Sequence, residues 1–339
     1  MLKGDAKEVI LKVSNLKKHF PIKNSVLSRS NSAVKAVDDV SFEVFQGETL
    51  GIVGESGCGK STMAKVIIQL LQATSGSVEI EGKQIQATNK RDLKKFRRDI
   101  QMVFQDPYAS LNPKWTLQRT LLEPLKVHKI GDSKVRREKI EFILNAVGLN
   151  STYAERYPHE FSGGQRQRIG IARALILNPK IIVADEPVSA LDISVQAQVI
   201  NLLKDLQDQF QLTYLFITHD LSVVKHISDR VLVMYLGRIV EISTTLKLFE
   251  NSLHPYTKAL ISAVPEVDAE VRKERIILKG DVPNPANPPS GCTFHTRCPY
   301  AMDYCKTVSP VLKEVESEQF VACHLYNKNE VHSIDTIYT

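Results

Sequence analysis

The sequence lacks several features that define large classes of proteins. No run of about 18 apolar residues occurs, so no membrane-spanning helix is predicted. The first residues, MLKGDAKEVILKV, contain neither the apolar core nor the small-residue cleavage site of a secretory signal peptide. Sustained heptads are also missing, which argues against a long coiled coil. These absences predict a cytosolic protein, which could still dock on a membrane protein.

Cysteine is scarce as well, with five among 339 residues and no tight C-x2–4-C pair of the kind that zinc sites favour. Four of them follow a proline-rich linker at 281–291: Cys292, Cys298, Cys305 and Cys323. In a reducing compartment such a group favours metal binding over disulfides. The wide spacing would suit an iron–sulfur cluster, and Cys298 precedes Pro299 as a cluster ligand can. His295 and His324 beside the cysteines leave zinc as an alternative, and binding no metal is a third.

The composition provides ample material for a folded core, because 43% of the residues are hydrophobic. The length suits one large domain or two. Net charge is +6, a mild excess that does not by itself indicate a nucleic-acid partner. Lysine and arginine concentrate at 91–98 (RDLKKFRR) and 134–139 (KVRREK), and each cluster is typical of the solvated face of a helix.

The strongest motif is GESGCGKS at Gly54–Ser61, which fits the phosphate-binding pattern G-x-x-x-x-G-K-[ST]. Glu48–Val53 predicts a buried strand before it, and Thr62–Leu71 predicts a helix after it. The glycines let the backbone wrap an anion, which the helix N-terminus then faces. Lys60 would reach the β- and γ-phosphates, and the Ser61 hydroxyl would ligate Mg²⁺. The residues expected to contact the nucleotide here are Gly54, Glu55, Ser56, Gly57, Cys58, Gly59, Lys60, Ser61 and Thr62.

The N-terminal part is predicted to be rich in strands. Glu8–Val13 and Val34–Phe45 have strand composition, and the polar stretch Pro21–Ser32 between them reads as a loop. Phe20 ends the first strand. Its aromatic face would suit stacking on the adenine ring, and a role as an ordinary core aromatic is an equal alternative.

The middle of the chain changes character. Ser77–Glu81 and Ile100–Phe104 are further strand candidates, and Gln105 follows the second of them. Two helices, Trp115–His128 and Lys134–Val147, then separate the strand-rich part into two halves.

The motif FSGGQ precedes a predicted helix at Arg166–Leu177, and Ser162 is a plausible N-cap for that helix. Its N-terminus is the second one in the chain that could bind an anion. The strand Lys180–Ala184 then ends in two adjacent carboxylates, Asp185 and Glu186. Neighbouring side chains at the end of a strand point to opposite faces. One carboxylate can therefore face Mg²⁺ and the other a water molecule.

Helices and strands continue to alternate. Val195–Phe210 is predicted as a helix and Leu212–Ile217 as a strand, and His219 lies at that strand's carboxyl end, where ligands collect in open α/β sheets. Arg230–Tyr235 and Arg238–Ile242 then read as a strand–turn–strand. The alternation predicts an α/β fold with a mostly parallel sheet covered by helices.

Taken in order, these motifs resemble those of the nucleotide-binding subunit of an ABC transporter. GESGCGKS resembles Walker A, IIVADE resembles Walker B, and FSGGQ looks like the ABC signature with Phe161 in place of the commoner leucine. Gln105 matches the Q-loop, Ser189–Asp192 (SALD) matches the D-loop, and His219 matches the switch histidine.

Longer stretches at 103–113, 184–203, 213–241 and 254–260 are similar to the oligopeptide/dipeptide importer ATPases, and in particular to their F-type subunit. The cysteine-bearing tail is similar too. The resemblance covers nearly the whole chain and implies the P-loop NTPase fold of an ABC-type ATPase domain. That fold would comprise an antiparallel β subdomain, a helical subdomain insert and a small irregular C-terminal extension that carries the cysteines.

The resemblance also divides the chain into domains. An ABC ATPase domain is expected over residues 1–250, with its helical subdomain at about 106–175. The C-terminal oligopeptide/dipeptide-transporter extension is expected over residues 251–339.

Roles for individual residues follow from the resemblance. Asp185 would position Mg²⁺ together with Ser61, and Gln105 would sense both the metal and the γ-phosphate. Glu186 would orient and deprotonate the attacking water, while His219 would hold the γ-phosphate in line. The expected catalytic residues are Glu186, His219, Gln105 and Lys60.

Two ATPase domains are expected to close head-to-tail on two ATPs, with each signature covering the partner's nucleotide. The residues expected to act in this way, with the D-loop, are Ser162, Gly163, Gly164, Gln165 and Asp192. The implied partners are a sibling ATPase, two transmembrane permease subunits and, indirectly, an extracytoplasmic solute-binding protein. Nucleic acid is not among them.

The implied location is peripheral, at the cytoplasmic face of the cell membrane. The implied cofactors are ATP, Mg²⁺ and a [4Fe–4S] cluster at the four cysteines, with Zn²⁺ as the alternative.

Two other functions compete with import. A soluble ABC ATPase acting on ribosomes or DNA would usually have two cassettes or a long coiled-coil insert, and a non-hydrolysing partner would lack Glu186 or His219. The cargo is not specified by this chain.

Overall fold

A computed structural model describes residues 7–22, 33–85, 90–264 and 275–326. Its strands are β1 (Val9–Pro21), β2 (Ala33–Phe45), β3 (Thr49–Val53), β4 (Ser75–Ile80), β5 (Lys83–Gln84), β6 (Ile100–Val103), β7 (Ile181–Asp185), β8 (Thr213–Ile217), β9 (Arg230–Tyr235), β10 (Arg238–Thr244), β11 (Lys313–Glu316) and β12 (Gln319–Val321). Its α-helices are α1 (Lys60–Ile67), α2 (Lys90–Asp99), α3 (Pro107–Ser110), α4 (Leu117–Val127), α5 (Ser133–Ala146), α6 (Gly163–Leu175), α7 (Ile193–Phe210), α8 (Leu221–Ile227), α9 (Thr245–Glu250), α10 (Pro255–Ser262) and α11 (Asp303–Thr307).

The strands form two sheets. The smaller is antiparallel with the order β2-β1-β4-β5, and the larger has the order β11-β12-β10-β9-β3-β8-β7-β6. From β6 to β9 the larger sheet is parallel, whereas β10, β12 and β11 are added antiparallel at one edge. The carboxyl ends of β3, β7 and β8 therefore meet at one edge, which is where the predicted phosphate loop, carboxylates and histidine emerge.

The central strands are apolar because both of their faces are covered. Every residue of β3 (TLGIV), β7 (IIVAD) and β8 (TYLFI) is buried, as expected for a parallel sheet between layers of helices. The mostly parallel α/β sheet predicted from the sequence is thus confirmed.

The helical insert lies between β6 and β7 and has its own apolar core. Its largest helices are α4, α5 and α6, which bury Leu121, Leu125, Ile143, Leu144 and Leu175 against one another. The helices predicted at Trp115–His128 and Lys134–Val147 correspond to α4 and α5. The two basic clusters lie on α2 and α5, and the exposed Arg97 and Arg98 of α2 agree with the predicted solvated face.

Two predicted boundaries are wrong. The first strand was expected over Glu8–Val13, but β1 continues to Pro21 because its second half pairs with β2, where Phe20 lies opposite Val34. Except for Pro21 and Ile22, the predicted loop after it lies outside the described residues. The helix expected over Thr62–Leu71 begins earlier and stops at Ile67, because Gln69 adopts a left-handed conformation (φ 57°) that ends it.

The C-terminal extension joins the main sheet. Strand β12 pairs antiparallel with β10, and β11 pairs with β12. At this junction the carboxylate of the fully buried Glu241 accepts the backbone N–H groups of Leu253 (2.8 Å) and His254 (2.9 Å). Burial raises the pKa of Glu241. The extension thus shares hydrogen bonds and core with the rest of the chain.

Candidate functional site

The phosphate loop connects β3 to α1 through backbone conformations that only glycine adopts easily. Gly54, Gly57 and Gly59 have φ values of 149°, 79° and 106°. A Cβ atom on Gly59 would lie 2.0 Å from the carbonyl oxygen of Ala36, and one on Gly54 would lie 2.2 Å from that of Met234. The loop therefore needs all three glycines for its conformation, and it needs Gly54 and Gly59 also for its close approach to neighbouring backbone.

Lys60 lies inside this loop with only 5% of its surface exposed. Its ammonium group donates to the carbonyl oxygens of Gly54 (2.6 Å) and Glu55 (3.1 Å). Cys58 is buried nearby, and burial raises the pKa of its thiol, so the side chain stays neutral and packs as an apolar group. A contact of Cys58 with a nucleotide would therefore come from its backbone.

Ser61 and Asp185 meet at the end of the sheet. The Ser61 hydroxyl donates to Asp185 Oδ1 at 2.8 Å, which joins the first turn of α1 to the last residue of β7. Burial raises the pKa of the Asp185 carboxyl, and the hydrogen bond from Ser61 acts in the opposite direction. A hydroxyl beside a carboxylate offers the hard oxygen donors that Mg²⁺ prefers, so the predicted pair fits that ion.

Glu186 is the centre of a second cluster. The Gln105 side chain donates through Nε2 to Glu186 Oε2 at 2.8 Å, and His219 Nδ1 lies 3.2 Å from Glu186 Oε1. The Glu186 backbone is left-handed (φ 47°) and its N–H donates to the Ile217 carbonyl at 2.8 Å. A strained non-glycine residue at the carboxyl end of a strand is a frequent mark of a functional position. Two residues predicted separately, Gln105 and His219, are thus within hydrogen-bonding distance of the Glu186 carboxylate.

These groups open into one cleft with a volume of about 430 Å³. Its lining consists of Val34, Ala36, Ser56, Gly57, Gly59, Lys60, Ser61, Thr62, Gln105, Glu186, His219 and Pro285. Most of the predicted nucleotide-contacting and catalytic residues are therefore brought together. Asp185 reaches the cleft through its bond to Ser61.

The signature and D-loop residues lie outside this cleft. Ser162 caps α6 as predicted, since its hydroxyl accepts the Gln165 N–H (3.3 Å) and the Gln165 side chain accepts the Ser162 N–H (3.0 Å). Ser162 and Gly163 are exposed, Gly164 is half-buried, and Asp192 is exposed at the start of α7. None of these residues lines the cleft that contains the phosphate loop, although Ser189 of the D-loop donates through its hydroxyl to the carbonyl oxygen of Glu186 at 3.1 Å.

Phe20 is not among the residues lining the cleft. It is 37% exposed, and the Lys18 ammonium lies 4.9 Å from its ring centroid. Its cross-strand neighbour Val34 does line the cleft. Adenine stacking by Phe20 stays a prediction.

Comparison with known proteins identifies the family. A sequence model described as "ABC transporter" matches residues 37–189, and one described as "Oligopeptide/dipeptide transporter, C-terminal region" matches residues 240–305. The chain is 57% identical over 323 residues to the oligopeptide transport ATP-binding protein AppF of Bacillus subtilis, which covers 94% of this chain and 98% of AppF. It belongs to the oligopeptide/dipeptide family of ABC transporter ATP-binding proteins.

Other relatives agree with this assignment. The di/tripeptide transport ATP-binding protein DppF of Pseudomonas aeruginosa is 49% identical over 317 residues, covering 94% of this chain and 98% of DppF. Among solved structures, the dimeric ATP-binding cassette MJ0796 with ADP and Pi is 31% identical with a TM-score of 0.61, covering 70% of this chain and 99% of that one. CbiO1 of Clostridium perfringens is 26% identical with a TM-score of 0.63, covering 72% and 92%. The ABC ATPase fold and the ATPase activity expected from the sequence are confirmed.

The described part of this ABC ATPase contains no helix long and apolar enough to cross a membrane. It also contains no group of three or more histidine, cysteine, aspartate or glutamate side chains arranged to hold a metal ion. The predicted cysteine cluster and its zinc alternative thus gain no support. Burial raises the pKa of the Cys298 thiol to about 11 and that of the Cys323 thiol to about 12.

The extension also contributes to the cleft, which was not predicted from the sequence. Pro285 lines the cleft, and the Lys35 N–H donates to its carbonyl oxygen at 3.2 Å. Arg297 and Tyr256 bind Glu55 of the phosphate loop from the other side. Pro285 lies in the proline-rich linker and Tyr256 in the stretch at 254–260, but neither pattern indicates a contact with the phosphate loop. Arg297 directly precedes a cysteine of the tail, which is the only signal that it carries.

Proposed function

We propose that the cleft is the ATP site of a peptide importer and that each predicted residue keeps its role there. The observation that carries this proposal is the convergence of Lys60, the Ser61–Asp185 pair and the Gln105–Glu186–His219 cluster on one cleft. Lys60 and the N–H groups of the loop would bind the phosphates. Ser61, Asp185 and Gln105 would hold Mg²⁺, which when bound neutralises charge on the transferred phosphoryl group.

Glu186 would take the proton from the attacking water. Gln105 and His219 fix the two oxygens of its carboxylate, so the base has a defined orientation towards the cleft. His219 is 59% exposed and stands at the mouth, where it would contact the γ-phosphate and sense its presence.

A single chain would leave the γ-phosphate open to solvent. The exposed N-terminus of α6 carries Ser162, Gly163, Gly164 and Gln165 away from the chain's own cleft. We propose that this N-terminus covers the nucleotide bound by a second ATPase. The signature of that second ATPase would in turn cover the nucleotide bound by this chain. A helix N-terminus supplied in this way would stabilise the charge of the transition state. We further propose that the second ATPase is a sibling subunit.

The permease contact is proposed at a groove between the sheet and the helical insert. This groove has a volume of about 300 Å³ and is lined by residues that include the exposed Leu70 and Phe104, as well as Arg97 and Arg173. Phe104 directly precedes Gln105 in the chain. A permease helix that binds in this groove and moves would therefore also displace Gln105 in the ATP site. Two permease subunits would hold the ATPases at the cytoplasmic face of the membrane, and an extracytoplasmic solute-binding protein would act indirectly.

The cargo is proposed to be peptides. The names of the relatives point to oligopeptides for AppF and to di- and tripeptides for DppF, so we assign peptides without a length. Isolation of the native complex and identification of its other chains would test both the partners and the location.

We also retain a [4Fe–4S] cluster at the four cysteines as a proposal. What supports it is the sequence alone, which places four cysteines in the tail and Cys298 directly before Pro299. Iron and acid-labile sulfide in the anaerobically purified protein would favour the cluster. Stoichiometric zinc in a colourless protein would favour the alternative, and the absence of both would remove the proposal.

Replacing Glu186 tests the proposed chemistry. Glu186→Gln keeps an oxygen for Gln105 but cannot accept a proton, so ATP hydrolysis by the purified transporter should fall about 100-fold or more. ATP binding should be retained. Glu250→Gln, at the exposed end of α9, is the matched control and should hydrolyse ATP normally. Hydrolysis by Glu186→Gln at the control rate would refute the assignment.

A further inference from the structure

Glu55 of the phosphate loop forms an ion pair with the C-terminal extension. Arg297 Nη1 lies 2.8 Å from Glu55 Oε2, and Arg297 Nη2 lies 3.2 Å from Glu55 Oε1. The side chains are 8% and 27% exposed, so water only partly screens the pair. Two parallel hydrogen bonds between a guanidinium and a carboxylate fix direction as well as distance.

A second contact from the extension holds the same residue. The Glu55 N–H donates to the hydroxyl of Tyr256 at 2.8 Å. Tyr256 is fully buried in helix α10 and packs against Tyr235 (4.8 Å between ring centroids) and Phe294 (5.5 Å). Since this aromatic cluster is close-packed, the hydroxyl is a rigid anchor.

Glu55 is therefore held by three contacts, one to each of its polar groups. Tyr256 binds its N–H, Lys60 binds its carbonyl oxygen at 3.1 Å, and Arg297 binds its side chain. The remaining N–H groups of the loop must point at phosphate oxygens, and a small misorientation of these groups lowers the affinity for ATP. Without Arg297, a partly buried carboxylate would also remain unpaired beside a site for polyanionic phosphate, and like charges repel.

We propose that the C-terminal extension positions the phosphate loop for ATP through Arg297 and Tyr256, with Arg297 as a positioning residue that also neutralises Glu55. This inference rests on the proposed assignment of the ATP site to Gly54–Thr62. It gives the extension a direct role in nucleotide affinity, in addition to its role in completing the sheet.

The test measures KM and kcat for ATP in the assembled transporter. Arg297→Gln should raise KM about tenfold and change kcat by less than about twofold. Adding Glu55→Gln to that variant removes the unpaired carboxylate, so KM should return to within about threefold of the wild type. This rescue separates charge neutralisation from general loss of packing, because the double variant lacks the same arginine.

Arg230→Gln is the matched control. Arg230 and Glu48 form an ion pair of similar burial (3.0 Å) near the amino-terminal end of β3, away from the phosphate loop. This variant should lose thermal stability and keep the wild-type KM for ATP. If Arg297→Gln does not fold, Arg297→Lys takes its place, since lysine keeps the charge but makes one contact instead of two, and KM should rise about threefold.

The outcomes distinguish this inference from the proposed function. Normal ATP binding by Lys60→Ala would overturn the assignment of the ATP site itself. Loss of ATP binding in Lys60→Ala, combined with a wild-type KM in Arg297→Gln or Arg297→Lys, would overturn the positioning role alone. A KM for the double variant no better than that for Arg297→Gln would overturn the neutralisation of Glu55.

Discussion

The substitution Gly59→Ala examines the geometry of the phosphate loop most directly. Gly59 has φ 106°, and an added Cβ would lie 2.0 Å from the backbone oxygen of Ala36, where ordinary contacts begin near 3.4 Å. A backbone conformation of this kind costs a side-chain-bearing residue roughly 1–3 kcal/mol. The overlap requires β2 and the loop to separate by more than 1 Å, and overpacking of this kind costs roughly 1–3 kcal/mol more.

The expected loss in the free energy of unfolding is therefore about 4 kcal/mol, measured by urea titration. Gly47→Ala is the matched control, because Gly47 has φ 77° and nothing lies within 4 Å of its added Cβ. In that control the free energy of unfolding should fall by only about 1–2 kcal/mol, which is the cost of placing alanine in a left-handed conformation. Displacing the loop should also weaken ATP binding at least about tenfold in Gly59→Ala and leave it unchanged in Gly47→Ala.

Equilibrium binding of ATP to both purified variants completes the comparison. If Gly59→Ala matched Gly47→Ala in both stability and ATP affinity, the close approach of Ala36 to the loop would be incorrect. The conformation of the loop at Gly59 would then not determine the affinity for ATP.

Two further predictions concern pH and the partner ATPase. Burial lowers the pKa of His254 from 6.5 to about 3, so the unfolded chain binds a proton that the folded chain does not, and stability falls as pH drops below about 6.5. Between pH 7.5 and pH 5 the wild type should lose about 2 kcal/mol more than His254→Asn, which keeps the helix cap and the neighbouring Glu241; equal losses in urea titrations would contradict this. Gly163→Glu should stop hydrolysis of the nucleotide bound by the partner, because the proposed signature contact is in trans. The Cβ at position 163 would lie 3.6 Å from Leu191, so the chain itself should fold, and full hydrolysis in mixtures with an intact sibling would disprove the head-to-tail arrangement.

The parts of the site that the sequence predicted are those encoded by short segments. A strand, a glycine loop and a helix in succession place Lys60 and Ser61, because neighbouring residues determine each of those structures. Asp185, Glu186 and His219 follow the same logic, since each stands at the carboxyl end of a strand that is recognisable by its apolar composition. Parallel pairing then brings those ends together without further information.

The parts that were missed depend on residues distant in sequence. Arg297 and Glu55 are 242 positions apart, and nothing in either segment identifies the other. The second half of β1 was missed because its lysines and histidine are half-exposed, which hides the alternation that marks a strand. The early end of α1 depends on the left-handed Gln69, a conformation that glutamine rarely adopts and that composition does not signal.

The pairing of β12 with β10 has a practical consequence for work on this protein. The smaller cassettes of known structure align with only about 70% of the chain, which invites trimming the gene after the last helix that they share. Such a truncation would strip the outer neighbour from β10 and leave a row of unpaired backbone amides and carbonyls, a surface prone to edge-to-edge aggregation. Expression and crystallisation should therefore keep the full-length polypeptide.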